Sequence, residues 1–155
     1  MQIVKVNNDI NTKLNLPVDI LRFYSSYKII GNISLVFDNY RGFGYGNQIT
    51  KFLYLNVDNN DYYGKTQETY SNWEDSLNSV LDYFPFAETL GASCLLISKL
   101  SGNVYGYMWE VGINETLNNP DYYISNSFTE FLEKLIKENN ITDPDFLEMY
   151  GVVKG

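Results

Sequence analysis

Histidine is absent from this chain, and cysteine occurs once, as Cys94. Without histidine, neither a Ser-His-Asp nor a Cys-His catalytic arrangement can be assembled. Zinc sites draw mainly on histidine and cysteine ligands, so a chain with a single cysteine and no histidine cannot form a zinc site of this kind. An internal disulfide is excluded as well, and a single cysteine is typical of a reducing compartment. A carboxylate site for Mg²⁺ or Ca²⁺ is the kind of metal site left open; we expect no cofactor.

Long apolar runs are also missing. No segment approaches the ~20 apolar residues of a membrane span, and residues 1–17 lack the apolar stretch of a signal peptide. We therefore expect a cytoplasmic protein without membrane association. Its 155 residues suit one domain, and a composition of 45% hydrophobic and 16% aromatic residues supplies a core. The composition gives no indication of oligomeric state.

Positive charge is scarce: 11 basic residues stand against 19 acidic ones, for a net charge of −8. A negative field repels the phosphates of nucleic acids, so we expect no nucleic-acid partner. The same field favours and accelerates encounter with a basic protein. The alternative is that the charge serves solubility alone.

Helices are predicted near both ends of the chain. Residues 14–27 combine Pro17 in the first turn with Asp19 at the positive end of the helix dipole. Near the other end, Ser127 and Glu130 have the spacing of a capping box. The apolar face that follows consists of Phe128, Phe131, Leu132, Leu135 and Ile136. Residues 142–151 predict a last short helix that Gly151 can end.

Strands are predicted between these helices, at residues 33–37, 49–57, 93–98, 104–110 and 121–124. The pair 93–98 and 104–110 predicts a hairpin, with Gly102 able to take a positive φ in its loop. A short helix is expected over 73–83, stopped by Pro85. Helices around a mainly antiparallel sheet give an α+β fold.

Candidate reactive groups are few, and each has a structural interpretation. Strand alternation places Leu95 and Ile97 on one face and Cys94 and Leu96 on the other, which favours Cys94 as a buried filler over a nucleophile. Glu88 and Glu110 could act as paired carboxylates, yet nothing in their spacing is distinctive. The glycines at 42, 44 and 46 lack the Gly-Lys-Ser/Thr ending of a phosphate loop. We therefore expect no catalytic residue and no enzyme.

Three stretches, FPFAETLGASCLLIS, GNVYGYMWE and NSFTEFLEKL, resemble the SUKH superfamily. That group includes the fungal cell-wall assembly regulators of the Smi/Knr type and many bacterial immunity proteins. The resemblance covers about residues 16–135 of a single domain spanning 1–155. The motif residues are Leu16, Pro17, Pro85, Phe86, Gly91, Trp109, Ser127, Phe128, Phe131 and Leu132. Ala92 and Val111 depart from the usual pattern, which marks a divergent member.

The resemblance implies a protein that binds without catalysis, namely an immunity protein that neutralises a toxin. An acidic, aromatic-rich surface would occlude the active site of a basic toxin such as a nuclease. Two alternatives remain: a regulatory interaction module of the Smi/Knr type, and a small carboxylate-based hydrolase. A toxin gene beside this one would favour immunity over regulation.

The segment 58–75, DNNDYYGKTQETYSNWED, is the predicted partner-binding surface. Tyrosine and tryptophan are favoured anchors of protein interfaces, and surrounding acids select a basic partner. The residues expected to contact the partner are Asp58, Asp61, Tyr62, Tyr63, Glu68, Tyr70, Trp73, Glu74 and Asp75. The alternative is a solvated loop whose aromatic side chains pack on the sheet.

Overall fold

A computed structural model describes residues 1–7, 15–31, 33–37, 47–53, 82–90, 93–107 and 118–155. These residues form a mixed α+β structure with a mostly antiparallel sheet, which confirms the predicted fold class. The strands are β1 (Gln2–Lys5), β2 (Tyr27–Ile30), β3 (Leu35–Val36), β4 (Gln48–Phe52), β5 (Tyr83–Thr89), β6 (Ser93–Ser98), β7 (Val104–Tyr107) and β8 (Tyr123–Ser125). The helices are α1 (Val18–Ser26), α2 (Phe128–Glu138) and α3 (Pro144–Lys154). No helix in these ranges is long and apolar enough to cross a membrane.

The first helix is anchored by one carboxylate that serves two helices. Asp19 Oδ1 accepts a hydrogen bond from the Ile20 N–H at 2.8 Å, as expected at the start of α1. Its Oδ2 accepts from the backbone N–H of Thr129 at 2.9 Å and from the Thr129 hydroxyl at 3.1 Å. Because Thr129 lies in the first turn of α2, Asp19 fixes the starts of α1 and α2 against each other.

Both ends of the first predicted helix need a correction. The helix begins at Val18, and Pro17 stands before it in an extended conformation and not within its first turn. Tyr27 begins β2 instead of ending α1. The reason is long-range pairing: β1 and β2 form an antiparallel ladder from Gln2 opposite Ile30 to Lys5 opposite Tyr27. This tertiary contact overrides the helical spacing of Tyr27, and neither strand of the pair was predicted from the sequence.

The second helix begins as predicted. Ser127 Oγ accepts from the Glu130 N–H at 3.0 Å, and the buried face of α2 includes Phe128, Phe131 and Leu132. The returning half of the capping box is displaced by one residue, because Glu130 Oε2 accepts from the N–H of Asn126 at 3.4 Å. The predicted face of the helix therefore packs on the sheet, and its start is held by side-chain caps.

The sheet runs in the order β3-β4-β5-β6-β7-β8, with every neighbouring pair antiparallel. The predicted β6–β7 hairpin is confirmed, with Ile97 opposite Val104 and Gly102 at φ +78° in the loop. The predicted alternation is also confirmed. Leu95 and Ile97 join the core beneath the helices, while Cys94 and Leu96 pack with Leu53 and Tyr107 on the other face.

The helix expected over residues 73–83 is wrong at its end. Tyr83 is the first residue of β5, and Asp82 lies in a turn before it; residues 73–81 lie outside the described ranges. Pro85 stands inside β5 and does not stop a helix. The ladder with β6 shifts register between Pro85 and Ala87, and a bulge of this kind accommodates a residue that has no N–H to donate.

The remaining boundaries also differ from expectation. Gly151 does not end the last helix, since the buried series Phe146, Met149 and Val153 carries α3 on to Lys154. That helix begins after Asp143, whose Oδ1 accepts from the N–H groups of Asp145 and Phe146. The strand expected at 33–37 shortens to β3, and the one expected at 121–124 becomes β8 after a 3₁₀ turn at Pro120–Tyr122. Residues 54–57 and 108–110 of two predicted strands lie outside the described ranges.

Both outer strands of the large sheet receive a side chain from α2 or its cap. Asn139 Oδ1 accepts from the Val36 N–H at 2.9 Å, and its Nδ2 donates to the Val36 carbonyl at 2.8 Å. At the opposite edge, Lys134 Nζ donates to the Ile124 carbonyl at 2.6 Å. These contacts engage outward backbone groups that an added strand would use.

Candidate partner-binding surface

Three tyrosines from three strands form a row on the sheet face that lies opposite the helices. We call Tyr83, Tyr105 and Tyr123 the tyrosine row. The ring centroids of Tyr83 and Tyr105 lie 6.2 Å apart at an interplanar angle of 75°. Those of Tyr105 and Tyr123 lie 6.0 Å apart at 74°. Each ring therefore meets its neighbour edge to face, a favourable aromatic arrangement, and all three side chains are partly exposed.

Strand register explains why these rings meet. Tyr105 stands directly opposite Tyr123 in the β7–β8 ladder. Tyr83 is paired with Ser98 of β6, and Tyr105 is paired with Leu96 of the same strand. Because Ser98 is small, it leaves space above β6 in which the rings of Tyr83 and Tyr105 can approach each other.

Two of the three hydroxyl groups in the row are held by neighbouring amide side chains. Asn103 Nδ2 donates to the Tyr105 hydroxyl oxygen at 3.3 Å. The Tyr123 hydroxyl donates to Asn126 Oδ1. These bonds fix the orientation of two rings, so a partner would meet a surface that is already arranged and would lose less conformational freedom on binding.

Carboxylates lie at both ends of the row. Asp82 precedes Tyr83 in the chain, and Glu130 lies beside Asn126, the acceptor for Tyr123. Burial raises the pKa of Tyr83, with further contributions from Tyr105 and Asp82. Burial likewise raises the pKa of Tyr123, helped by Glu130 and Tyr105. Both hydroxyls are therefore neutral at physiological pH, and the negative charge at the row comes from carboxylates.

Two lysines lie near these carboxylates. Lys99 donates its backbone N–H to the Asp82 carbonyl at 2.9 Å, and burial lowers the pKa of its side chain while Asp82 opposes that shift. Lys134 lies 3.6 Å from Glu130, but its Nζ also donates to the Ile124 carbonyl. Lys134 is thus tied to the sheet edge, which limits how far it can serve a partner's acidic group.

The hairpin turn beside the row carries an exposed apolar side chain. Leu100, at the tip of the β6–β7 turn, is 89% exposed. The turn approaches the starts of two helices: a Cβ on Gly102 would lie 4.0 Å from Pro17 Cγ and 3.8 Å from the Asn126 carbonyl. Val18, next to Pro17, is 61% exposed. Exposed apolar and aromatic side chains therefore gather at this end of the sheet, as they do in protein interfaces.

The contact and motif residues predicted from the sequence fall into two groups, those outside the described ranges and those within them. The proposed contact segment 58–75 lies wholly outside the described residues, so its role stays a prediction, and Gly91 and Trp109 also lie outside them. The remaining motif residues support the fold: Pro17 and Ser127 precede helices. Those that are buried are Leu16, Pro85, Phe86, Phe128, Phe131 and Leu132. The sequence pattern does not predict the tyrosine row, because it places Tyr83 in a helix.

The candidate reactive groups are not brought together within the described residues. Cys94 is completely buried and stands opposite Glu88 in the β5–β6 ladder. Glu110 and the glycines at 42, 44 and 46 lie outside the described ranges. Across the part of the chain that the structure describes, no group of three or more potential ligands among Cys, Asp and Glu could hold a metal ion.

We expect Cys94 to react slowly with alkylating agents in the folded protein. Burial raises the pKa of its thiol well above the usual value, and the nearby charge of Glu88 raises it further. At neutral pH the thiol is therefore protonated and shielded, and the thiolate is the reactive species. Timed iodoacetamide labelling followed by mass spectrometry measures this directly. Labelling at the rate of the urea-unfolded chain would contradict the prediction.

Comparisons of this chain with models of protein families, with curated proteins and with solved structures return no match.

Proposed function

We propose that this protein is a divergent member of the SUKH superfamily and acts as an immunity protein. It binds a basic toxin, such as a nuclease, and neutralises it by occluding the toxin's active site. The observation that carries the proposal is the tyrosine row: three partly exposed rings in edge-to-face contact, two of them held by hydrogen bonds, with a carboxylate near each end. Orienting aromatic side chains on a rigid sheet is suited to binding a protein surface.

The motifs behind the family resemblance support this assignment by their positions. The Pro-Phe-Ala motif lies in the central strand β5, and the Val-Tyr motif begins β7. The Ser-Phe motif caps and begins α2. Three separate motifs thus fall on regular elements of one sheet-and-helix unit.

Net charge supports a basic partner. At −8, the chain attracts cationic proteins over distances of about a Debye length, roughly 10 Å at 0.1 M salt. It also competes electrostatically with the nucleic acid that a nuclease toxin would bind. An acidic protein that covers the catalytic cleft can therefore exclude the substrate by both shape and charge.

Co-expression and direct binding test the immunity function. If a neighbouring gene encodes a toxin, this protein should restore growth of cells that produce the toxin, and the purified pair should form a stoichiometric complex. Activity of the toxin should fall in proportion to the added protein and reach zero at equivalence. A toxin that remains fully active in molar excess of this protein would contradict the proposal.

A further inference from the structure

The tyrosine row differs from the contact segment that the sequence suggested, and it lies entirely within the described residues. Its rings rise from the side of the sheet that bears Leu96, away from the helices. It crosses β5 to β8 with centroid spacings of 6.2 and 6.0 Å. An extended peptide advances about 3.3 Å per residue, so roughly four residues would cover the row.

We propose that the tyrosine row binds an extended, arginine-bearing segment of the partner protein. The identity of that partner rests on the proposed function. The location of the binding surface and its chemistry rest on the geometry of the row. Guanidinium groups stack on aromatic faces and also form paired hydrogen bonds with carboxylates. The row supplies aromatic rings, and a carboxylate lies near each end: Asp82 beside Tyr83, and Glu130 beside Asn126.

Strand addition is a poorer fit to the described edges. Asn139 engages the outward N–H and carbonyl of Val36, and Lys134 engages the carbonyl of Ile124. A peptide adding to β3 or β8 would first have to displace these side chains. Side-chain recognition across the face leaves these edge contacts in place, and the hydroxyls of Tyr105 and Tyr123 are already oriented there.

The probe is a hexapeptide of alternating glycine and arginine, with blocked ends, titrated into the isotope-labelled full chain and followed by NMR. Matched peptides carrying lysine or glutamate in place of arginine serve as comparisons. We expect saturable shifts concentrated at the row, weaker binding of the lysine peptide, and no binding of the glutamate peptide. Shifts spread evenly over the acidic surface would overturn the inference, because they would indicate attraction to net charge alone.

Variants locate the contact. Tyr105→Ser should weaken binding of the arginine peptide about threefold or more, while Tyr105→Phe should weaken it less, because it keeps the ring and loses only the hydrogen bond from Asn103. Tyr123→Ser, in the short edge strand β8, provides a second variant should Tyr105→Ser fail to fold. Tyr150→Phe alters a tyrosine of α3 that packs against the helix-side core, and it serves as the unchanged control. If the wild type and the folded serine variants bind the arginine peptide with equal affinity, the tyrosine row is not its binding surface.

The same variants separate this inference from the immunity function. If Tyr105→Ser neutralises and binds the toxin as well as the wild type does, the surface assignment is wrong and the immunity function stands. If no toxin is neutralised but the arginine peptide still binds the row, the immunity function is wrong and the surface assignment stands.

Discussion

Replacing Phe131 with alanine should lower the free energy of unfolding by about 3–5 kcal/mol, the usual cost of truncating a buried phenylalanine. Phe131 is fully buried on α2. Its ring centroid lies 5.4 Å from that of Phe86, and 6.3 Å from those of Phe37 and Phe128. The substitution therefore removes contacts that join α2 to β5, and it leaves a cavity among large rings that cannot easily collapse.

Denaturant titrations of three variants test this prediction. Phe131→Leu retains most of the volume and should cost less than about 1.5 kcal/mol. Leu147→Ala is the surface control, because Leu147 on α3 is 41% exposed and should lose under about 1 kcal/mol. A loss below 1 kcal/mol for Phe131→Ala would show that the α2 face is not part of the core.

The parts of the fold that could be predicted from sequence depend on neighbours that are close along the chain. The capping residue Ser127 acts on an N–H three residues away. The alternation of Cys94 and Leu95 follows from strand geometry alone, and Gly102 supplies its positive φ within one turn. In each case the sequence pattern and the physical contact span the same few residues.

The parts that could not be predicted depend on pairing between distant segments. Gln2 and Ile30 are opposite each other in a ladder that no local pattern encodes. Pro85 indicates that a regular element is interrupted in this part of the chain. Only the register shift against β6 shows that β5 continues through the proline. The candidate site was missed for the same reason, since Tyr83 and Tyr105 meet only when the registers of three strands are known.

Replacing Asn139 with alanine should cost about 2–3 kcal/mol, although its side chain is only partly buried. The side-chain amide acts like a neighbouring strand for β3, because it accepts from the Val36 N–H and donates to the Val36 carbonyl. It also donates to the Leu135 carbonyl at 2.9 Å at the end of α2. Each lost hydrogen bond costs about 0.5–1.5 kcal/mol, and more where the remaining partner cannot reach water. Amide hydrogen exchange should accelerate at Val36, which separates this effect from general destabilisation.

Asn139→Asp gives a sharper form of the same prediction, because it changes one donor into an acceptor. An ionised carboxylate can accept a hydrogen bond from the Val36 N–H, but it would face the carbonyl oxygens of Val36 and Leu135, which repel it. At neutral pH the Asn139→Asp variant should therefore be no more stable than Asn139→Ala. Protonation restores one donor, so the folded state should favour the neutral acid and raise its pKa above about 3.9. When a carboxyl group has a higher pKa in the folded protein than in the unfolded chain, its protonation stabilises the fold. This stabilisation is complete below the pKa of the unfolded chain and is lost as the pH rises through the pKa of the folded protein. The stability of Asn139→Asp relative to Asn139→Ala should therefore increase as pH falls towards 4. Lys137→Ala changes an exposed residue in the same turn of the helix and serves as the control, so its stability should show no such dependence on pH. If the difference in stability between the two Asn139 variants does not change with pH, the amide does not hold the edge of β3.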